Sequence, residues 1–181
     1  GDTGPGGGVI FYYLAAGFNC GPTRAATCKY LEAAPSLWNG GAEDPVAKWA
    51  NAYGLIDEPD TATATAIGWG YFNTKAILKE RGVTDTNTAA ALADSHTVTV
   101  EGVTFTDWYL PSANELAEMR VRRLSIGGFD NTVNSYYWSS SEPSTNTIAS
   151  NNNATRVLFS TGNEAGSGKL ASLYVRPIRA F

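Results

Sequence analysis

Few side chains in this sequence have the type and spacing that chemistry requires. The single histidine, His96, has no nucleophile or metal-ligand set arranged around it and reads as structural. Cys20 and Cys28 stand in CGPTRAATC, where Gly-Pro favours a turn that brings the thiols together. The spacing predicts a disulfide, against the alternative of two free thiols; closing so small a loop contributes about 2.5 kcal/mol in the chain-entropy model. Two cysteines and a distant histidine do not supply the four ligands of a zinc site. Asp57, Glu58 and Asp60 cluster in DEPD, the kind of oxygen-rich group that calcium takes. They lack EF-hand spacing and read as a solvated acidic turn, so structural calcium stays open and no cofactor is predicted. The chain has no G-x-S-x-G, H-E-x-x-H, P-loop or C-x-x-C motif. Nothing marks a carboxylate pair for glycoside hydrolysis, and the reading is that this is not an enzyme.

Two polar stretches offer binding chemistry instead. Residues 142–153 (EPSTNTIASNNN) and 161–169 (TGNEAGSGK) are rich in Asn, Ser, Thr and Gly. Such side chains hydrogen-bond sugar hydroxyls or a protein surface, and an aromatic ring nearby supplies a stacking face. The candidate ligand-binding residues are therefore Trp69, Glu142, Asn146, Asn152, Glu164 and Lys169.

The elements that must position these residues centre on the block 107–142. Ser112-Ala113-Asn114-Glu115 is a capping box that starts a helix after Pro111. Glu115 and Glu118 fall early in that helix and Arg120, Arg122 and Arg123 fall late, matching its dipole. Ala113, Leu116, Ala117 and Leu124 are expected on its docking face, with Gly127-Gly128 as the stop. Tyr136-Tyr137-Trp138 reads as an aromatic strand. Trp108, Leu110 and Trp138 are candidates for core. Earlier, GVIFYYL at 8–14 and YLEA at 30–33 read as strands. TKAILKER at 74–81 reads as a helix ended by Gly82, and 86–95 as an alanine-rich second helix. Alternation over 97–106 on either side of Glu101-Gly102 predicts a hairpin. ATRVLFS at 154–160 and LYVRPIR at 173–179 read as strands, the last with Pro177 at an edge or bulge. Gly1, Gly4 and Gly7 carry the collagen period, so residues 1–7 read as a collagen-like stub or a flexible lead-in to one domain over 8–181.

Bulk composition narrows the partners. With 43% hydrophobic residues, the 181-residue chain can bury a real core. Charged residues are only 17%, and 19 glycines suggest short elements joined by long ordered loops. A net charge of −4 without a basic stripe argues against nucleic acid. No apolar run reaches the roughly 20 residues needed to span a bilayer, so no membrane insertion is expected.

Several pieces recur together: IGWGYFNTKAI at 67–77, DWYLPSANEL at 107–116, YWSSSE at 137–142, and Lys169 followed by YVRPIRAF at 174–181. In order and spacing they resemble the Lcl C-terminal domain family, named for a bacterial collagen-like adhesin. The resemblance covers roughly residues 65–181. It implies an α+β, C-type-lectin-like fold: two or three short helices around small antiparallel sheets with long ordered loops. It also implies an extracellular setting at the end of a stalk or fibre. Formylglycine-generating enzymes share that fold but depend on cysteines near the domain end, which this chain lacks. Calcium-dependent lectins of the fold use Glu-Pro-Asn and Trp-Asn-Asp. Here Glu142-Pro143-Ser144 has serine in the third place and no Trp-Asn-Asp exists, so calcium-mediated sugar binding is not carried over. The expected role is a binding module for a cell-surface glycan or protein. The alternative is an assembly unit, either the trimeric cap of a stalk (a homotrimer) or a filament subunit.

Overall fold

The computed structural model describes residues 1–41, 43–56, 64–81, 86–130, 132–143 and 151–181. The fold is α+β. Strands β1 (Val9–Cys20), β2 (Ala26–Ala33) and β3 (Val46–Lys48) precede helices α1 (Gly70–Arg81) and α2 (Ala89–Asp94). The hairpin β4 (Val98–Val100) and β5 (Val103–Phe105) leads to α3 (Ala113–Val121) and the short α4 (Arg123–Ile126). Then come β6 (Tyr136–Trp138), β7 (Asn153–Leu158), β8 (Glu164–Gly168), β9 (Ser172–Tyr174) and β10 (Ile178–Ala180). One sheet has the order β1-β2-β10 and the other β3-β9-β6-β7-β8, with β4-β5 apart. The pairing is antiparallel except between β6 and β9, which run parallel, so the larger sheet is mixed.

Local chemistry accounts for several boundaries. Ser112 Oγ accepts from Glu115 N at 3.3 Å, and Glu115 Oε2 accepts from Ser112 N at 2.8 Å, completing the capping box. Glu101 and Gly102 both have positive φ, 50° and 82°, the backbone that a two-residue β4–β5 turn requires. The Cys20–Cys28 disulfide joins the far ends of β1 and β2.

Other boundaries differ from expectation. The strand expected at 8–14 runs on to Cys20 because a register shift between Tyr13 and Phe18 absorbs the intervening residues and pairing resumes. The expected helix through Leu124 breaks at Arg122, and Leu124 is 83% exposed instead of docked. Met119 takes the core place on that face. The Gly-rich stretch 161–169 contains β8, because β7 supplies a ladder that composition alone does not announce. Pro177 lies between β9 and β10, where the chain passes from one sheet to the other. The Gly82 helix stop lies outside the described residues.

The core has two parts. One gathers Trp49, Ile56, Ile77, Leu110, Trp138 and Val175; the other gathers Phe11, Leu31, Tyr109, Leu116, Tyr137 and Phe159. Trp108, Leu110 and Trp138 are fully buried, as their sequence setting suggests. Each large side chain so placed contributes about 1.5–3 kcal/mol by transfer from water. Among the described residues no helix is long and apolar enough to cross a membrane.

Residues 1–8 fold back onto the domain. Thr3 bridges Val9, and Ile10 N donates to Asp2 O at 2.9 Å. The carboxylate of Glu32, fully buried, accepts from Gly6 N at 3.1 Å and Gly8 N at 2.6 Å. The buried glycines are 4, 6 and 8, and a Cβ at any of them would collide with Glu32, Trp108 or Ala33. A Cβ at Gly1 would likewise meet the Ile10 carbonyl oxygen, so close packing demands glycine at 1, 4, 6 and 8.

Candidate functional site

Among the described residues four carboxylates are buried: Glu32, Asp44, Glu115 and Glu142. A buried charge is tolerated when it is paired and hydrogen-bonded, as Glu32, Asp44 and Glu142 are; Glu115 is held by hydrogen bonds without an ion pair among the described residues.

Glu142, just past β6, meets Lys169, just past β8. Lys169 Nζ contacts Glu142 Oε1 and also donates to the carbonyl of Gly54. Glu142 Oε2 accepts from Ile56 N at 3.3 Å. The ammonium lies 4.6 Å from the centre of the Trp49 ring, and Trp49 Nε1 donates to Ser139 O at 2.8 Å. Burial pushes the Lys169 amine below its ordinary range, while Glu142 pulls it back up. Backbone bonds tighten the cluster further: Lys169 N donates to Asn152 O at 2.9 Å, and Trp49 N to Lys169 O at 2.9 Å. Arg81 Nη2 caps Gly54 O at 2.6 Å. One ion pair therefore ties together residues 53–56, the end of β6, the start of β7 and the end of β8. Tyr53, half exposed, stands on the outer rim beside Gly168.

Of the candidate residues, Glu142, Asn152 and Lys169 come together here. Glu142 and Lys169 turn inward, 1% and 0% exposed, so they hold the loops instead of facing an incoming ligand. Asn152 is half-buried at the rim and Glu164 is exposed at the start of β8. Trp69 packs elsewhere: the Arg24 guanidinium from the disulfide hairpin covers its ring at 3.7 Å, and Phe72 meets it edge-on. Asn146, Ser144 and the acidic cluster Asp57, Glu58 and Asp60 lie outside the described residues. Among the described residues no group of three or more His, Cys, Asp or Glu is placed to hold a metal ion.

Two further buried pairs escape sequence reading. Asp44 accepts from Arg176 Nε at 2.6 Å, Tyr137 OH at 3.0 Å and Trp38 Nε1 at 3.0 Å. Arg179 bridges Glu32 at 3.2 Å and Asp107 at 2.9 Å. Their one sequence signal is the pair of arginines in the apolar strand YVRPIR, where a charge on the buried face implies a partner.

Glu115 is the fourth. Gly68 N donates to it at 2.8 Å, Ser112 N at 2.8 Å, and Gly70 N also reaches it, while Tyr109 OH lies 3.5 Å away. Burial nevertheless lifts this carboxyl to about 7. It fastens the turn before α1 to the start of α3.

Two open concavities among the described residues lie away from the ion pair. A groove of about 560 Å³ runs beside β1, and one of about 420 Å³ separates Thr3–Pro5 from β4 and β5. No known family's sequence model matches the chain, and no curated protein is similar to it.

Proposed function

We propose that this chain is an extracellular binding module, an adhesin or fibre-tip domain of C-type-lectin-like architecture, that recognises a cell-surface glycan or protein. The observation that carries this reading is the loop cluster over Glu142 and Lys169. A buried ion pair and several backbone bonds join four segments of the chain at residues 54–56, 142, 152 and 169, and Tyr53, Asn152 and Asn153 are left at the rim. Polar groups held in place beside an accessible ring suit recognition, since they lose little ordering entropy on binding. The disulfide supports an oxidising compartment. The buried acid–base pairs are satisfied internally, which favours binding over catalysis. The test is a glycan array with the chain displayed multivalently, together with capture from target-cell surfaces. Tyr53→Ala should abolish retention without altering the unfolding transition. Retention unaffected by Tyr53→Ala and Asn152→Ala would place recognition elsewhere.

A second reading, an assembly unit of a stalk or filament, draws support from a different region. Tyr13, Leu14, Val121 and Leu124 are exposed apolar side chains on β1, α3 and α4.

A further inference from the structure

An arginine is ordered in a folded chain when something holds its guanidinium, and most arginines of this fold are held by oxygen. Arg81, Arg120 and Arg123 donate to backbone carbonyls, and Arg176 and Arg179 to carboxylates. Arg24 departs from that pattern. Its guanidinium carbon lies 3.7 Å from the centre of the Trp69 ring, in van der Waals contact with it. Among the described residues it makes no hydrogen bond or ion pair, and its Nε is buried without an acceptor.

The position is prepared from both sides. The Cys20–Cys28 disulfide closes the loop that carries Arg24. Within that loop Arg24 N donates to Gly21 O at 3.1 Å, and Arg24 has a φ of 56°, a left-handed backbone that is costly for a residue with a Cβ. The hairpin is seated against the turn before α1, since a Cβ on Gly68 would collide with Asn19 O. The indole then fixes the plane of the guanidinium. Glu115 is an acid whose field reaches Arg24, but it is fully buried and its oxygens take the N–H groups of Gly68 and Ser112. A cation is thus held in place with no counter-ion touching it.

Strain and order kept where no protein acceptor repays them mark a place for an acceptor from outside. We propose that the Arg24 guanidinium, stacked on Trp69, is a binding site for the carboxylate of an acidic sugar. Two N–H groups of the planar fork match the two oxygens of a carboxylate. Pro22, Thr23 and Ala25 beside it are exposed and short, and residues 21–27 contain no acid to compete. The half-buried Trp69 and Phe72 rings, edge to face, give the body of a sugar ring an apolar surface next to the charge. This site shares no residue with the rim around Tyr53 and goes beyond the reading above, so either can fail alone.

Calorimetric titration of the intact chain with disaccharides ending in glucuronate or sialate, beside one ending in glucose, tests it. The expected result is saturable binding of an acidic sugar, weakened by added sodium chloride, with the neutral sugar bound at least about tenfold more weakly. Arg24→Gln removes the charge, and Arg24→Lys keeps it without the planar fork; each should raise the dissociation constant about tenfold. Arg122→Gln, which removes an exposed arginine outside the site, should leave it unchanged. The native chain gives a reading that needs no variant: the Trp69 indole N–H resonance should shift with the acidic sugar and stay still with the neutral one. No binding of either acidic sugar up to about 10 mM overturns the proposal. So does acidic-sugar binding that matches the neutral sugar, survives Arg24→Gln, or falls equally with Arg122→Gln.

Discussion

Glu115 makes the sharpest physical prediction. Its carboxyl is completely buried and rests at about 7 in the folded chain, against an ordinary value of 4.5. Desolvation by burial is the largest cause, and donors from Ser112, Gly68 and Gly70 oppose it. The folded pKa lies above the unfolded one, so the folded state holds the proton more tightly. The resulting stabilisation is fully present below the unfolded value and is lost as pH rises through the folded value. Between pH 8 and pH 5 the linkage integral gives a gain of about 2–3 kcal/mol from this one group. With a urea slope of about 2 kcal/mol per molar, the midpoint should rise by about 1 M. Other groups titrate over the same range, so the measurement is a difference. Urea unfolding of the native chain and of Glu115→Gln is followed at several pH values. The variant carries no proton to exchange at this site, and the amide's fixed cost shifts its curve without changing its slope. The gap between the two should widen in favour of the native chain by about 2–3 kcal/mol from pH 8 to pH 5. Parallel curves would refute the reasoning. They would mean that the donors around Glu115 outweigh the loss of water and keep the carboxylate charged throughout.

Lys169→Met alone leaves Glu142 buried without its cation and should cost about 3–5 kcal/mol by denaturant titration, while adding Glu142→Leu should recover much of the loss. Replacing Cys20 and Cys28 together by serine should cost about 2.5 kcal/mol, and reductant should destabilise the native chain by a similar amount. Glu32→Ala removes the acceptor for Gly6 and Gly8, so limited proteolysis should cut residues 1–8 much faster than in the native chain while β1 stays protected. Leu124→Glu, at an 83% exposed site, should change stability by less than about 0.5 kcal/mol, which thermal unfolding would check.

The legible features were those whose cause is local. Ser112 and Glu115 announce a helix start because both halves of the cap lie within four residues of each other. Glu101-Gly102 announces a hairpin because only a few residue types tolerate that backbone. The candidate site was legible only in part. Glu142, Asn152 and Lys169 stand among six candidates chosen by residue type, and their polar character suggests outward-facing loops. The two charged heads instead neutralise each other inside the protein. Trp69 offered a stacking face in sequence, and Arg24 from the disulfide hairpin already occupies it. Leu124 kept helical spacing with Leu116, yet the break at Arg122 rotated it away from the core.

By itself the sequence indicated the capped helix, the disulfide, the aromatic strand and the absence of a recognised catalytic motif. Each rests on chemistry within a few residues, where the chain has little freedom to do otherwise. Only the tertiary structure decided how the buried charges pair. Glu142 and Lys169 are 27 residues apart, Asp44 and Arg176 are 132 apart, and Glu32 and Arg179 are 147 apart. No periodicity links such positions. They meet because the sheets bring distant strands side by side, and because a charge removed from water must find its opposite there.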